Sequence, residues 1–291
     1  MAIRANKIRG IDMAHIYEIM ETMLPFEFIQ YDFMKNALLA ILIMTPLFGM
    51  LGTVIVNNRL AFFSEALGHS ALTGIALGIV LGIANTNVSM ICFAFIFALL
   101  LNYIKRKKTV STDTIISVFS SLSSAIGLVI LSKGGNFAKY SNILVGDVLS
   151  IKRKELLALL LIFVVTVIFW VVFYNKLHAI SINETLARSK QINVVLIDNL
   201  FVLLIACIVM LSIKWVGTLI INALLILPAA SSRNIAVNNR EYHWFAVIIS
   251  MFSGIVGLIV SYYIGTATGP TIVIIASVIF FLTFSMKHFM K

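Results

Sequence analysis

Long apolar runs alternate with short polar ones from residue 35 to the end of the chain. The runs cover 35–56, 57–82, 88–104, 114–131, 156–174, 194–213, 215–230, 244–264 and 271–286. Most approach the ~20 apolar residues that a helix needs to cross a bilayer. The pattern therefore predicts an all-α fold, a polytopic transmembrane helical bundle of about nine spans. Eight and ten are the bounds, because the seventh run is short and carries Gly217, Asn222 and Pro228. Such a run reads as broken or re-entrant, which is tolerated only under cover of protein or beside a cavity. Two longer polar segments, 132–155 and 175–193, interrupt the series. In the second, residues 181–191 read as a short amphipathic helix, with Ile182, Leu186 and Ala187 near one face and Arg188 and Lys190 off it. Residues 1–34 mix acids, a histidine and a proline among apolar positions, so they read as an N-terminal interfacial segment ahead of a membrane domain over 35–291. No cleavable leader is expected there.

Composition supports this division. The chain has 291 residues, 60% hydrophobic and 12% charged, against about 25% charged in soluble domains. Its formal net charge is +10. The basic residues cluster between apolar runs, which suits anionic membrane lipid and topology signals and argues against nucleic acid. With Lys105, Arg106, Lys107 and Lys108 in the cytoplasm, the N-terminus is expected outside and the C-terminus inside. Cys92 and Cys207 lie in apolar runs with no metal-ligand spacing and are expected to be small buried residues.

The chemistry concentrates in one stretch, 57–82. Glu65 and His69 are four residues apart, one helical turn, among the small residues Ser64, Gly68 and Gly74. An acid and an imidazole within a bilayer must face protein, water or an ion. Carboxylate oxygen with imidazole nitrogen suits zinc, manganese or iron(II) and lacks the thiolate that favours copper(I). Two ligands make a weak, reversible stop for a transported ion. The same spacing also fits a structural hydrogen bond between helices, and spacing alone leaves both readings open. Gly68-His69-Ser70-Ala71-Leu72 lacks the final glycine of a hydrolase elbow, HExxH is absent, and so is GxxxxGK[ST]. Any ATP must therefore be bound by another subunit. His15, His178, His243 and His288 lie at the ends of runs and are expected to be solvated or interfacial.

The run from Arg59 through Glu65 and His69 to Gly74 resembles the membrane subunits of the zinc/manganese/iron branch of ATP-binding-cassette importers. A second match is the Gly–apolar–Leu–Pro–Ala–Ala–x–x–Arg signature in Gly217, Pro228, Ala229, Ala230 and Arg233. Leu144-Val145-Gly146-Asp147 and Thr268-Gly269-Pro270-Thr271 supply two more, in the family's order, across roughly 35–286. Three departures stand out. The family's acid is usually Asp, Thr73 replaces a frequent proline, and no glycine follows Ala187 at the usual spacing.

The resemblance implies a fold related to the cobalamin and siderophore importer permeases. It implies a non-enzymatic permease of the bacterial cytoplasmic membrane that moves a divalent transition metal. Glu65 and His69 would contact the metal, on a pathway helix bearing Ser64, Gly68 and Gly74. A second copy of the chain would complete the pathway. Cytoplasmic ATPase subunits would dock near Glu184, Ala187 and Arg188, and an extracytoplasmic metal-binding protein would deliver the ion. No permanently bound cofactor is implied; ATP would be held by the partner subunits alone. A permease for a metal chelate, siderophore or cobalamin, is the alternative. An intramembrane enzyme using Glu65 and His69 as acid and base, or a channel working without ATPase subunits, is more remote.

Overall fold

A computed structural model describes residues 13–23, 26–107, 110–133, 140 and 146–289. Residues 1–12 of the expected interfacial segment, Lys108, Gly134-Gly135, Leu144-Val145, Lys291 and the side chains of His15 and His288 lie outside the described residues. Among the described residues ten helices run in the order α1 (Met13–Met23), α2 (Asp32–Asn57), α3 (Ala61–Val80), α4 (Thr86–Arg106), α5 (Thr112–Lys133), α6 (Arg153–Ile182), α7 (Glu184–Ser189), α8 (Val194–Ile235), α9 (Asn239–Ile264) and α10 (Thr268–Phe289). Short 3-10 turns sit at Glu27–Gln30 and Val148–Ser150, and no strand occurs among the described residues.

Local chemistry sets several of the helix starts. Asn85, Asn183, Asn193 and Asn238 each accept a backbone N–H from the first turn of α4, α7, α8 and α9. Glu155 accepts the Lys152 N–H at 2.9 Å to open α6. Gly265, with φ 73°, closes α9 in the left-handed conformation.

Among the described residues eight helices are long and apolar enough to cross a membrane, and one of them is two crossings in one. At 42 residues, α8 would be about 63 Å long if straight, twice the ~30 Å hydrocarbon thickness. It is broken at Gly217, whose φ 77° and ψ 162° are not helical. Near its start, Arg106 at the end of α4 donates to the Val195 carbonyl at 3.0 Å and pairs with Asp198 at 3.4 Å. At the close of its first half, Lys214 pairs with Glu155 at 3.7 Å, at the opposite end of the bundle where α6 begins. The second half returns. Ile220 lies against Gly269 at the start of α10, and Asn234 lies beside Thr283 near its finish. Counting α8 twice gives nine crossings, as the apolar runs predict. Residues 57–60, Arg106, α7 and the last turn of α10 share one end, called here the basic end. Asp32, residues 81–85, Gly146 and Gly265 share the far end.

The interior is lined by small residues: Ala66, Gly68, Ser70, Ala71 and Gly74 are all buried on the inner face of α3. Large apolar residues such as Leu161, Val171, Phe281 and Leu282 point outward. This is the distribution expected where lipid solvates the outer face and close packing holds the inner one. Cys92 corrects an expectation for the same reason. It is exposed on the outer face of α4, and Cys207 is half-buried, because an apolar run in lipid has no obligation to be inside. The fifth run ends at 174, yet α6 continues to Ile182. Tyr174 and His178 stack with their rings 6° apart, and Leu177 is buried. The apolar run measures the membrane, while the helix projects beyond it to α7. His243, expected to be solvated or interfacial, is half-buried near the start of α9 between Trp170 and Tyr174, with ring centroids at 5.4 and 5.3 Å.

The described part of the N-terminal segment packs on the far end. Phe28 and Ile29 are buried, and the Tyr17 hydroxyl donates to Asn36. Lys35, expected to open the first span, is buried and pairs with Glu21 and Asp32. Arg153 pairs with Asp32 at 3.2 Å and lies over the Tyr17 ring at 4.8 Å.

The backbone of Gly217 occupies a region that is essentially glycine-only, so Gly217→Ala should cost roughly 1–3 kcal/mol. The expected result is a lower thermal midpoint for the purified protein in detergent. An unchanged midpoint would show that the break does not require glycine.

Candidate functional site

The sequence on α3 sorts into two faces. On the inner face a Cβ on Gly68 would press on Thr218, and one on Gly74 would press on Met90 of α4. Ser64 is buried and donates to the Ala61 carbonyl at 3.3 Å. These three residues are thus packing positions of the helix that carries the pair, and do not line its cleft. On the stripe facing away from Gly74, Glu65 Oε1 and His69 Nε2 are 4.0 Å apart, and their side chains are 48% and 39% exposed. At that distance the pair is not hydrogen-bonded. Both side chains open into a cleft of about 500 Å³.

The other wall of the cleft is α5. It contributes Asp113, Ser117, Ser120, Ser121 and Ser124. None of these was singled out in the sequence, although their spacing puts an acid and four hydroxyls on one helical stripe. Asp113 is the second residue of α5, so it stands at the mouth on the basic end, and the serines run inward from it. Glu65 lies about 6 Å and His69 about 12 Å along the axis from the start of α3. The pair therefore occupies the half of the bundle nearest the basic end. Arg59, the first residue of the motif, has φ 55° and sits in the exposed α2–α3 turn. Deeper in, α3 and α5 are fastened together. The Thr73 hydroxyl donates to the Ser123 carbonyl, and a Cβ on Gly127 would collide with Thr73. Among the described residues no group of three or more His, Cys, Asp or Glu is close enough to hold one metal ion. Asp113 shares the cleft with the pair but is not close enough to form a three-ligand group with it.

The remaining predicted residues fall at two other places. Gly146, Gly217 and Gly269, from three separate motifs, converge at the far end. A Cβ on Gly146 would overlap the backbone of Gly217, and one on Gly269 would meet Ile220. Pro270 is the third residue of α10, where its missing N–H costs nothing. Pro228 lies inside α8 and Arg233 is exposed in its last turn. At the basic end, Glu184 and Arg188 form a pair at 2.8 Å across one turn of α7, over a buried Ala187.

A many-spanned helical bundle with an acid–histidine pair in a polar cleft belongs to the broad class of membrane transport proteins. The comparisons narrow it: the family model "ABC 3 transport family" matches residues 30–287, and the chain belongs to that family. It is 30% identical over 254 residues to the high-affinity zinc uptake system membrane protein ZnuB of Haemophilus influenzae, covering 87% of this chain and 97% of that one. It is 25% identical to the manganese transport system membrane protein MntC of Listeria monocytogenes, covering 88% and 91%. The solved structure of PsaBC from Streptococcus pneumoniae in complex with Fab superposes with a TM-score of 0.75 at 24% identity, over 92% of this chain and 95% of that one, which supports the fold.

The cleft predicts a labelling pattern. With Cys92 and Cys207 replaced by alanine, Ser121→Cys should react with a charged, water-soluble thiol reagent. Ser123→Cys, at a buried position bonded to Thr73, should react at least tenfold more slowly, in proportion to how often it is exposed. Equal rates would mean that the cleft does not hold water.

Proposed function

We propose that this chain is the membrane permease subunit of an ATP-binding-cassette importer for a divalent transition metal, zinc or manganese. The carrying observation is the Glu65/His69 pair opening into the serine-lined cleft of an ABC 3 family chain. The zinc and manganese systems named among its relatives support the choice of cargo.

The chemistry follows from these donors. A carboxylate and an imidazole are borderline ligands suited to zinc and manganese. Two donors hold an ion loosely, and a cargo must leave. A second copy of the chain would bring a second pair and complete a transient four-donor stop. Serine hydroxyls along α5 replace part of the hydration shell without adding charge, and Asp113 offers the departing cation its next attractive group. Asp113 lies toward the end that carries Arg106 and Lys107, which we take as cytoplasmic. Import then runs from the far end past the pair to Asp113. The chain has no P-loop lysine motif, so ATP belongs to partner subunits. The exposed Ile182 at the end of α6 and Leu186 on α7, beside the Glu184–Arg188 pair, offer them an apolar foothold. A delivery protein would meet the far end. The cleft's charge favours a bare ion over a chelate, and its family favours transport over acid–base chemistry.

In proteoliposomes holding the full transporter, His69→Ala should reduce zinc or manganese uptake by more than the roughly 10–100-fold seen when an outer-shell metal partner is removed. Glu65→Gln should do the same, and Asp113→Asn should slow turnover while leaving the metal concentration for half-maximal uptake nearly unchanged. Wild-type uptake by the Glu65/His69 double variant would refute the assignment. Separately, Leu186→Asp should leave uptake impaired but basal ATP hydrolysis by the isolated ATPase unaffected; undiminished uptake would remove α7 from coupling.

A further inference from the structure

A second pocket, of about 290 Å³, lies well away from the metal cleft, between α2, α6 and α9. Its floor is Met50 and Val247, its walls are Trp170, Tyr174 and Trp244, and its rim carries Arg240. Three features define its occupant.

The first is position. Arg240 is the second residue of α9, so the rim stands at the basic end, where the bundle leaves the hydrocarbon. Met50 is seven residues from the end of α2, about 10 Å along its axis. The pocket therefore spans the boundary between headgroups and acyl chains. Trp244 is 61% exposed on the outer surface. Tryptophan and tyrosine at this level form the interfacial belt, but here the rings enclose a concave site.

The second is charge. No carboxylate lines the pocket. The nearest acid in the chain, Glu241, is engaged with the Val237 N–H at 3.0 Å and the Asn238 amide at 2.7 Å. Arg240 is exposed and makes no ion pair among the described residues. A guanidinium without a counterion at the cytoplasmic surface selects a phosphate.

The third is the aromatic wall. The His243 ring is held edge-on by Trp170 and Tyr174, and its Nε2 lies 3.4 Å from the Asn239 amide. Fixed rings at the headgroup boundary flank a lipid glycerol and leave the charge to Arg240.

We propose that this pocket binds one anionic glycerophospholipid. Arg240 takes the phosphate, the rings of Trp170, Tyr174 and His243 flank the glycerol, and one acyl chain lies over Met50, Val247 and Trp244. The site is independent of the metal cleft.

Two of the three tryptophans, Trp170 and Trp244, line the pocket, which makes quenching by bromine-substituted lipid chains a direct readout. The full-length protein in detergent is titrated with brominated phosphatidylglycerol and, in parallel, with brominated phosphatidylcholine. Phosphatidylglycerol should quench at about fivefold lower concentration, as one interfacial cation implies. Arg240→Gln should erase that difference and leave phosphatidylcholine quenching as it was. Replacing Trp170 and Trp244 together by Phe should remove most of the quenchable emission. Three outcomes would overturn the proposal: equal quenching by the two lipids in the unaltered protein, a preference that survives Arg240→Gln, or a preference abolished by millimolar inorganic phosphate, which would assign the cation to a soluble anion. Quenching that appears only when the protein is forced to monomer would overturn it too, by giving the face to a second copy. If Arg240→Gln does not purify, Arg240→Lys serves in its place and should retain the preference.

Discussion

The break at Gly217 holds the architecture together. One residue outside the helical region turns what would be a 42-residue rod into two antiparallel crossings. The turn is so tight that neighbouring chain reaches it only where side chains are missing. Gly146 abuts it from the α5–α6 connection, Gly269 faces Ile220 just after it, and Gly68 faces Thr218. That last contact matters most for function. It seats α3 against the break on the stripe next to Glu65, one turn before Gly68, so the acid is held beside this contact with its side chain in the cleft. The Glu65/His69 pair and the far-end glycines are separate in sequence, but both belong to helices packed at this one break.

That orientation also resolves the energetic problem of the pair. A carboxylate at the centre of a membrane helix costs about 2.5–3.5 kcal/mol on insertion scales. Glu65 avoids most of this, since its carboxylate opens into a cleft of hydroxyls and lies within ~6 Å of the helix start. The 4.0 Å gap to His69 leaves both ligand atoms uncommitted to each other. A site already satisfied by its own hydrogen bond would have to break it to take an ion.

Much of this was legible in the chain. The periodic apolar runs give the crossings, and four-residue spacing places Glu65 and His69 on one face. Gly217 and Pro228 mark the irregular seventh run. What could not be read follows from the solvent. In lipid, apolar residues face out as readily as in, so Cys92 gave no sign of its exposure, and the projecting end of α6 was hidden by its polar composition. Asp113 and the α5 serines were missed because hydroxyls in a membrane helix usually bond to their own backbone. Only the position of α3 distinguishes Ser117, Ser120, Ser121 and Ser124, which face the cleft, from Ser123, which is buried against Thr73.

The two walls of the cleft then limit how access to it can change. At depth, α3 and α5 are joined by the Thr73–Ser123 bond and by a contact at Gly127 too close for a side chain. At the basic end they diverge, leaving Glu65 and Asp113 facing open space. Prising them apart further would have to break the deep contact first. On its inner face α3 is equally fixed, with Gly68, Gly74 and Gly78 leaving no room to slide past α8 and α4. Packed interfaces of this kind move as units. Exposure of the pair to the far end therefore calls for rotation of the whole α3–α4–α5–α8 body against whatever closes the open side of the cleft. Under the coupling proposed for α7, a force applied there would enter the first half of α8 directly, since α7 ends at Ser189 and α8 begins at Val194.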